Sequence, residues 1–237
     1  MLEDKLFFIN LLDNNKSYKH QFSKNFMERL TKEMTKSEIE KEVSKWGEYV
    51  QIDNLTRFLK TNPGIPIDTK RFIHQKLGEV YEKRKMFFDS AINYEKVGEL
   101  CVLRPEKIKN FLKAVNNYIK SGYFNRADET AKKCLRESNS SERADILKSL
   151  REFYKQEAER GIKENKRSNT IKVYERMLEM ATIPIKEKEE IKEKLLKLYL
   201  TLGMMPQYNK FKGRSFKEEK PKEPENEEIE GLEFLYK

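Results

Sequence analysis

Two imidazoles, two thiols and a large stock of lysine and glutamate are what this chain offers for chemistry. His20 and His74 each sit within a helical pattern, without a Cys or carboxylate partner at the spacing that nucleophilic catalysis needs. Cys101 and Cys134 lie 33 residues apart and form no CxxC pair. That spacing argues against structural zinc or a disulfide framework, and for small apolar residues packed in a reducing cytosol. No phosphate loop of the type GxxxxGKS/T is present, and no GxGxxG, HExxH or GxSxG. The run KEKEEIKEK from Lys186 to Lys194 holds paired carboxylates, but its interleaved lysines mark a solvated, salt-bridged helix face. Catalysis and a cofactor are therefore not expected, which leaves binding. Lys109, Lys113, Asn116 and Lys120 follow one another at offsets of +4, +3 and +4, so all four share one helical face. They are either a solvated face or a row of donors turned toward a partner.

Such a face requires long helices, and the composition supplies them. Hydrophobic residues make up 37% and charged residues 38%. This is too charge-rich for a compact single core but suits thin layers of helical hairpins that bury only their inner faces. Nine Gly and seven Pro in 237 residues fit long helices and short turns. Alternating β-branched runs bounded by turn pairs are essentially missing. The apolar run from Leu6 to Leu12 is broken by Asn10 and flanked by acids, so a signal peptide is not expected. No run approaches the ~18 residues of a membrane span, so membrane insertion is not expected either and the chain reads as cytoplasmic.

Taken in order, residues 1–66 read as an N-terminal helical region. Helices are expected over 2–13, with Leu2, Leu6, Ile9 and Leu12 in a stripe, and over 17–35, with Phe22, Phe26 and Leu30. Ser37 with Glu40 is a capping-box signature for a third helix, SEIEKEVSKWGEYV, with Ile39, Val43, Trp46 and Val50 on one side. A shorter helix through Leu55, Phe58 and Leu59 ends before the loop NPGIP, Asn62 to Pro66, which no helix can cross. Residues 67–212 then read as an array of hairpins. A helix through Phe72, Leu77 and Tyr81 turns near Lys85. The next hairpin opens at Arg104-Pro105-Glu106 and closes at the polar turn Ser138 to Ser141. Helices follow over 142–160, about 169–181 and 185–203, and a shorter return starts at Met204. Residues 213–237 carry two prolines and many charges, which predicts a disordered acidic tail. Its last residues are apolar again, and Ile229, Leu232, Phe234, Leu235 and Tyr236 form a candidate docking motif.

A common frame runs through the hairpins. Ala114, Tyr118, Gly122, Ala127, Ala131 and Cys134 are separated by +4, +4, +5, +4 and +3, and Leu195, Tyr199, Gly203 and Tyr208 keep the first three of these offsets. The first hairpin has Leu77, Gly78, Tyr81 and then Ala91, while the third keeps only Thr170, Tyr174 and Met177. Tyr81 to Tyr118 is 37 residues, a period found in helical repeat arrays. Small residues would let the helices of a hairpin approach, Tyr would fill space toward the next hairpin, and Gly would reverse the chain. This pattern resembles the tetratricopeptide repeat family over about residues 69–212. The stretch AINYEKVGEL, with Tyr94 and Gly98, is also similar to hairpins of the soluble NSF attachment proteins. The sequence departs from the first family at His74 and Phe111, which stand where it often has Trp, and at Pro184, which comes late.

The resemblance implies an all-α solenoid whose first helix in each repeat lines a concave groove. Carried onto this chain, that groove takes Lys109, Lys113, Asn116 and Lys120 from the second hairpin, and Gln75, Glu79 and Lys83 from the first. Some members hold a C-terminal carboxylate with Lys and Asn at comparable places, and Gln75 and Glu79 depart from that clamp. Residues 67–140 hold 16 basic and 10 acidic residues and 141–212 hold 17 and 12, whereas the tail holds 5 and 8. The expected function is a non-enzymatic scaffold or adaptor, binding a peptide, helix or C-terminal tail of another protein in a basic groove. The acidic tail is a candidate competitor for that groove. The basic body also admits a nucleic-acid or ribonucleoprotein role through phosphate contacts. The attachment-protein likeness implies a membrane-trafficking adaptor. Oligomeric state is not legible.

Overall fold

The computed structural model describes residues 30–216, which contain ten α-helices and no strand. The expected helix over 2–13 and most of that over 17–35 lie outside the described residues. The end of the second, residues 30–35, is not helical. In order, the helices are α1 (Lys36–Val43), α2 (Glu48–Thr61), α3 (Ile67–Lys83), α4 (Phe87–Leu100) and α5 (Arg104–Lys120). They continue with α6 (Phe124–Glu137), α7 (Ser140–Lys163), α8 (Arg167–Glu179), α9 (Ile185–Thr201) and α10 (Met205–Lys212). The chain divides into two compact units between Arg84 and Lys85. Among the described residues no helix is long and apolar enough to cross a membrane.

In the first unit, Ile39, Val43, Trp46, Leu55, Phe58, Ile65, Ile73 and Leu77 form the core. The stretch SEIEKEVSKWGEYV is not one helix. The capping box belongs to Thr35, whose hydroxyl accepts from the Glu38 amide while the Glu38 carboxylate accepts from the Thr35 amide. Helix α1 then stops at Val43, and α2 restarts from Gly47 as its N-cap. The break turns Trp46 inward, leaving it 6% exposed beside Ile39 and Val43. Burying that indole is worth more than one continuous exposed helix. The NPGIP loop separates α2 from α3 as expected, with Pro66 capping α3.

The second unit is a run of hairpins. Helix α4 packs on α5, α5 on α6 and on α7, α7 on α8, α8 on α9, and α9 on α10. One continuous core runs from Ala91 to Tyr199. Ala114, Ala127, Ala131 and Cys134 are buried where α5 meets α6. Burial pushes the Cys134 thiol up to about 12, so it is a packed, unreactive group.

The hairpin turns share one construction. After α5, the Gly122 amide donates to the Ile119 carbonyl and the Tyr123 amide to that of Tyr118. Asn165 and Lys166 repeat this pair of bonds on Ile162 and Gly161, and Gly203 and Met204 repeat it on Leu200 and Tyr199. This is the Schellman closure, and it requires a left-handed residue. That residue is Gly122 at φ 79°, Asn165 at 56° and Gly203 at 67°, and Lys85 after α3 stands at 60°. A left-handed lysine is strained where glycine is not. Lys85→Gly is expected to stabilise the protein by about 0.5–1 kcal/mol, with a smaller gain for Asn165→Gly, since Asn tolerates this conformation better. Urea unfolding midpoints measure it, and a lowered midpoint for Lys85→Gly would contradict the strain.

Counting from these left-handed residues corrects the sequence frame. Five residues after Lys85, Gly122 and Asn165 lie Ser90, Ala127 and Thr170, all buried, so Ser90 and not Ala91 keeps the register, while the half-buried Tyr208 follows Gly203. Four residues before the four lie the half-buried Tyr81 and the buried Tyr118, Gly161 and Tyr199. The third hairpin therefore keeps its first half too, but with Gly161 in the tyrosine place. The tyrosines also face the other way from expectation. Tyr118 donates to Glu95 at 2.7 Å and Tyr199 to Glu175 at 2.5 Å, each reaching the helix that precedes its own. Glu95 and Glu175 both stand ten residues after a left-handed residue. The place between them is Lys132, opposite Gly161, so that seam lacks the pair. It is closed by Asp128, which accepts from Tyr154 Oη at 3.4 Å and from Arg176.

Candidate functional site

Helix α5 opens with Pro105 in its first turn and buries Ile108, Phe111, Ala114, Val115, Tyr118 and Ile119. Lys109, Lys113, Asn116 and Lys120 fall on the opposite side. Lys109 is exposed and the other three are half-buried. Lys113 Nζ lies 4.9 Å from the centre of the Tyr94 ring, and Lys120 Nζ lies 5.3 Å from that of Phe87. Cation–ring contacts of this exposure are worth roughly 0.5–1 kcal/mol, enough to bias where the two stems rest without neutralising either charge. The face expected from spacing therefore exists within the second unit.

Arg160 of α7 completes one end of this face, and no local spacing pointed to it. Its Nη2 donates to the Lys120 carbonyl at 2.8 Å, at the C-terminal end of α5, and its guanidinium lies 5.4 Å from the Phe87 ring. A cation there also answers the partial negative charge of the helix end. Glu157 holds it in place, accepting from Arg160 Nε at 2.7 Å and Nη2 at 2.8 Å, and from Asn169 at 3.1 Å. Beside this contact an open depression of about 600 Å³ is lined by Lys85, Phe87, Asp89, Lys120, Arg160 and Lys166, among others. The walls of that depression are the turn ends of three helices.

The neighbouring helix does not repeat this cationic row. Counted from Asn165 as α5 is counted from Gly122, the places of Lys109, Lys113, Asn116 and Lys120 in α7 belong to Glu152, Gln156, Glu159 and Lys163. All four are exposed, and Gln156 donates to Glu152 at 3.1 Å. The cationic row on α5 thus has as its counterpart on α7, the helix it packs against, a mixed row of two acids, one amide and one cation. A summed charge over 67–212 conceals this alternation.

No family model, curated protein or solved structure matches this chain. Its function has to be read from its own residues.

The other expected groove residues belong to the first unit. Gln75 is exposed and donates to Glu79 at 3.1 Å. Lys83 lies 2.8 Å from Glu48, and Lys83 and Arg84 together hold the Glu48 carboxyl below its usual range. Counted from Lys85, the places matching α5 are Phe72, Lys76, Glu79 and Lys83, so Lys76 and not Gln75 keeps the register. Lys76 is engaged, at 2.6 Å from Glu40. His74 is half-buried on α3, and His20 lies outside the described residues, as do Ile229, Leu232, Phe234, Leu235 and Tyr236. Among the described residues no group of three or more His, Cys, Asp or Glu is placed to hold a metal ion.

Proposed function

We propose that the hairpins of the second unit are tetratricopeptide-like repeats stacked as an α-solenoid, and that the α5 face binds a peptide or helix of another protein. What supports this is the row Lys109, Lys113, Asn116 and Lys120, unburied along one side of α5 with two of its stems resting on aromatic rings. Glu152 and Glu159, in the mixed row on α7, make the preferred partner one of mixed sequence, with acidic side chains toward α5 and a basic one toward these two carboxylates. A nucleic-acid backbone, negative throughout, suits that alternation poorly. Phage display of random 12-residue peptides on the immobilised chain tests the reading. Selected peptides should carry acidic residues and lose on the order of 10-fold in affinity for the variant K113E/K120E, about 1.4 kcal/mol spread over two rim charges. Equal binding to both proteins would discard this face, and tight binding of random single-stranded RNA that K113E/K120E abolishes would move the function to nucleic acid.

A further inference from the structure

The last hairpin leaves open a face that its counterpart covers. In α5, Val115 and Ile119 are fully buried, and Val115 meets Leu150 and Tyr154 of α7. Phe124, at the start of α6, stacks on Tyr154 with ring centres 5.9 Å apart. Counted from Gly203 as these are from Gly122, their counterparts are Leu196, Leu200 and Met205. Leu196 is half-buried, while Leu200 is 50% and Met205 48% exposed. Glu189 and Glu193 stand where α5 has Ile108 and Leu112, so the open face is narrowed to an apolar strip, with the exposed Lys197 three residues before Leu200.

The end of the described chain runs back along α9. After α10, which buries no residue, the Arg214 carbonyl accepts from Lys192 and Phe216 packs on the core with Lys188 5.9 Å from its ring. Residues 217–237 therefore start beside the first half of α9. They hold four basic and eight acidic residues and the apolar set Ile229, Leu232, Phe234, Leu235 and Tyr236. The twelve residues 217–228 can span up to about 40 Å. Helix α9, 17 residues long, measures only about 25 Å. The apolar set can thus reach any point of the strip, and of its acidic neighbours, Glu230 and Glu233, one can meet Lys197 beside Leu200.

We infer that residues 229–236 dock on the open strip of α9 and α10, with Leu200 at its centre, and stand in for the hairpin that would otherwise cover it. A capped strip keeps the exposed end of a helical stack from pairing with other apolar surfaces. The tail's site is then α9 and not the cationic face of α5. The inference rests on the hairpin register and is independent of the peptide-binding reading.

Hydrogen exchange on the full chain tests it, with the variants F234E/L235E and L200E. The amides of residues 196–201 should exchange about 10-fold faster in F234E/L235E than in the natural chain, and L200E should give the same local change. The variant K113E/K120E should leave those amides unaltered, which separates this result from the proposed function. Unchanged exchange in F234E/L235E would overturn the inference. So would protection that rises with protein concentration alongside a dimeric mass in sedimentation, since a second copy would then cover the strip.

Discussion

Gly161→Val should destabilise the protein by on the order of 3 kcal/mol, the upper part of the range for overpacking a filled core. Gly161 is buried in α7, and a Cβ built there would lie 2.2 Å from Thr170 Oγ1. Thr170 is fully buried, and its hydroxyl donates to the Lys166 carbonyl at 3.0 Å, so it has little room to yield. The smaller change Gly161→Ala balances the same clash against the ~1 kcal/mol that Ala gains over Gly within a helix. Its sign should therefore depend on residue 170. In the natural background Gly161→Ala should destabilise, and with Thr170→Ala already present it should become neutral or stabilising. Urea unfolding of the four proteins gives the coupling directly. If the cost of Gly161→Ala is the same with and without Thr170, the close approach of α7 and α8 is not what requires glycine here.

Glu157→Ala should cost about 2–3 kcal/mol. The residue is only 3% exposed, and its carboxylate is shared among Arg160 Nε, Arg160 Nη2 and Asn169. Removing one member of a buried pair ordinarily costs about 3–5 kcal/mol. Here the Arg160 side chain keeps 28% exposure, so water recovers part of that loss. Glu157→Gln keeps an acceptor for Asn169 and should cost less. The double variant E157A/R160M should be more stable than E157A alone, because no charge is left without its partner. Equal stability of the single and double variants would show that the pair contributes packing only. Arg160 also bonds the Lys120 carbonyl, so E157A should weaken peptide binding that relies on Lys120 even at temperatures where the protein stays folded.

The helices were legible because their signals are local. Apolar spacing, the Pro105 start, the NPGIP stop and the SNSS turn all act within a few residues, and each element of the second unit lies within a few residues of where they place it. The α5 face was legible for the same reason, since offsets of +4, +3 and +4 define a side of a helix without any knowledge of what surrounds it. The split of SEIEKEVSKWGEYV was only hinted at, by Gly47, which disfavours a helix interior and becomes the N-cap of α2, while the core that Trp46 joins decides the break. The third hairpin was half hidden because its turn residue is Asn165 and its tyrosine place is Gly161, which are different residues in the same conformational roles. A search for left-handed-capable Asn at the 37–43-residue spacing of the turns would have found it.

Amino-acid order alone determined that this chain is helical, where it turns, and which side of α5 carries cations, since each depends on propensities and periods that a few neighbouring residues settle. Tertiary structure decided the rest. It turned Tyr118 and Tyr199 back toward Glu95 and Glu175, placed Arg160 at the end of α5, and packed α7, which carries Glu152 and Glu159, against α5. Those pairings join residues 23 to 40 positions apart, and the choice among the many partners a lysine- and glutamate-rich chain offers is made by how the hairpins stack.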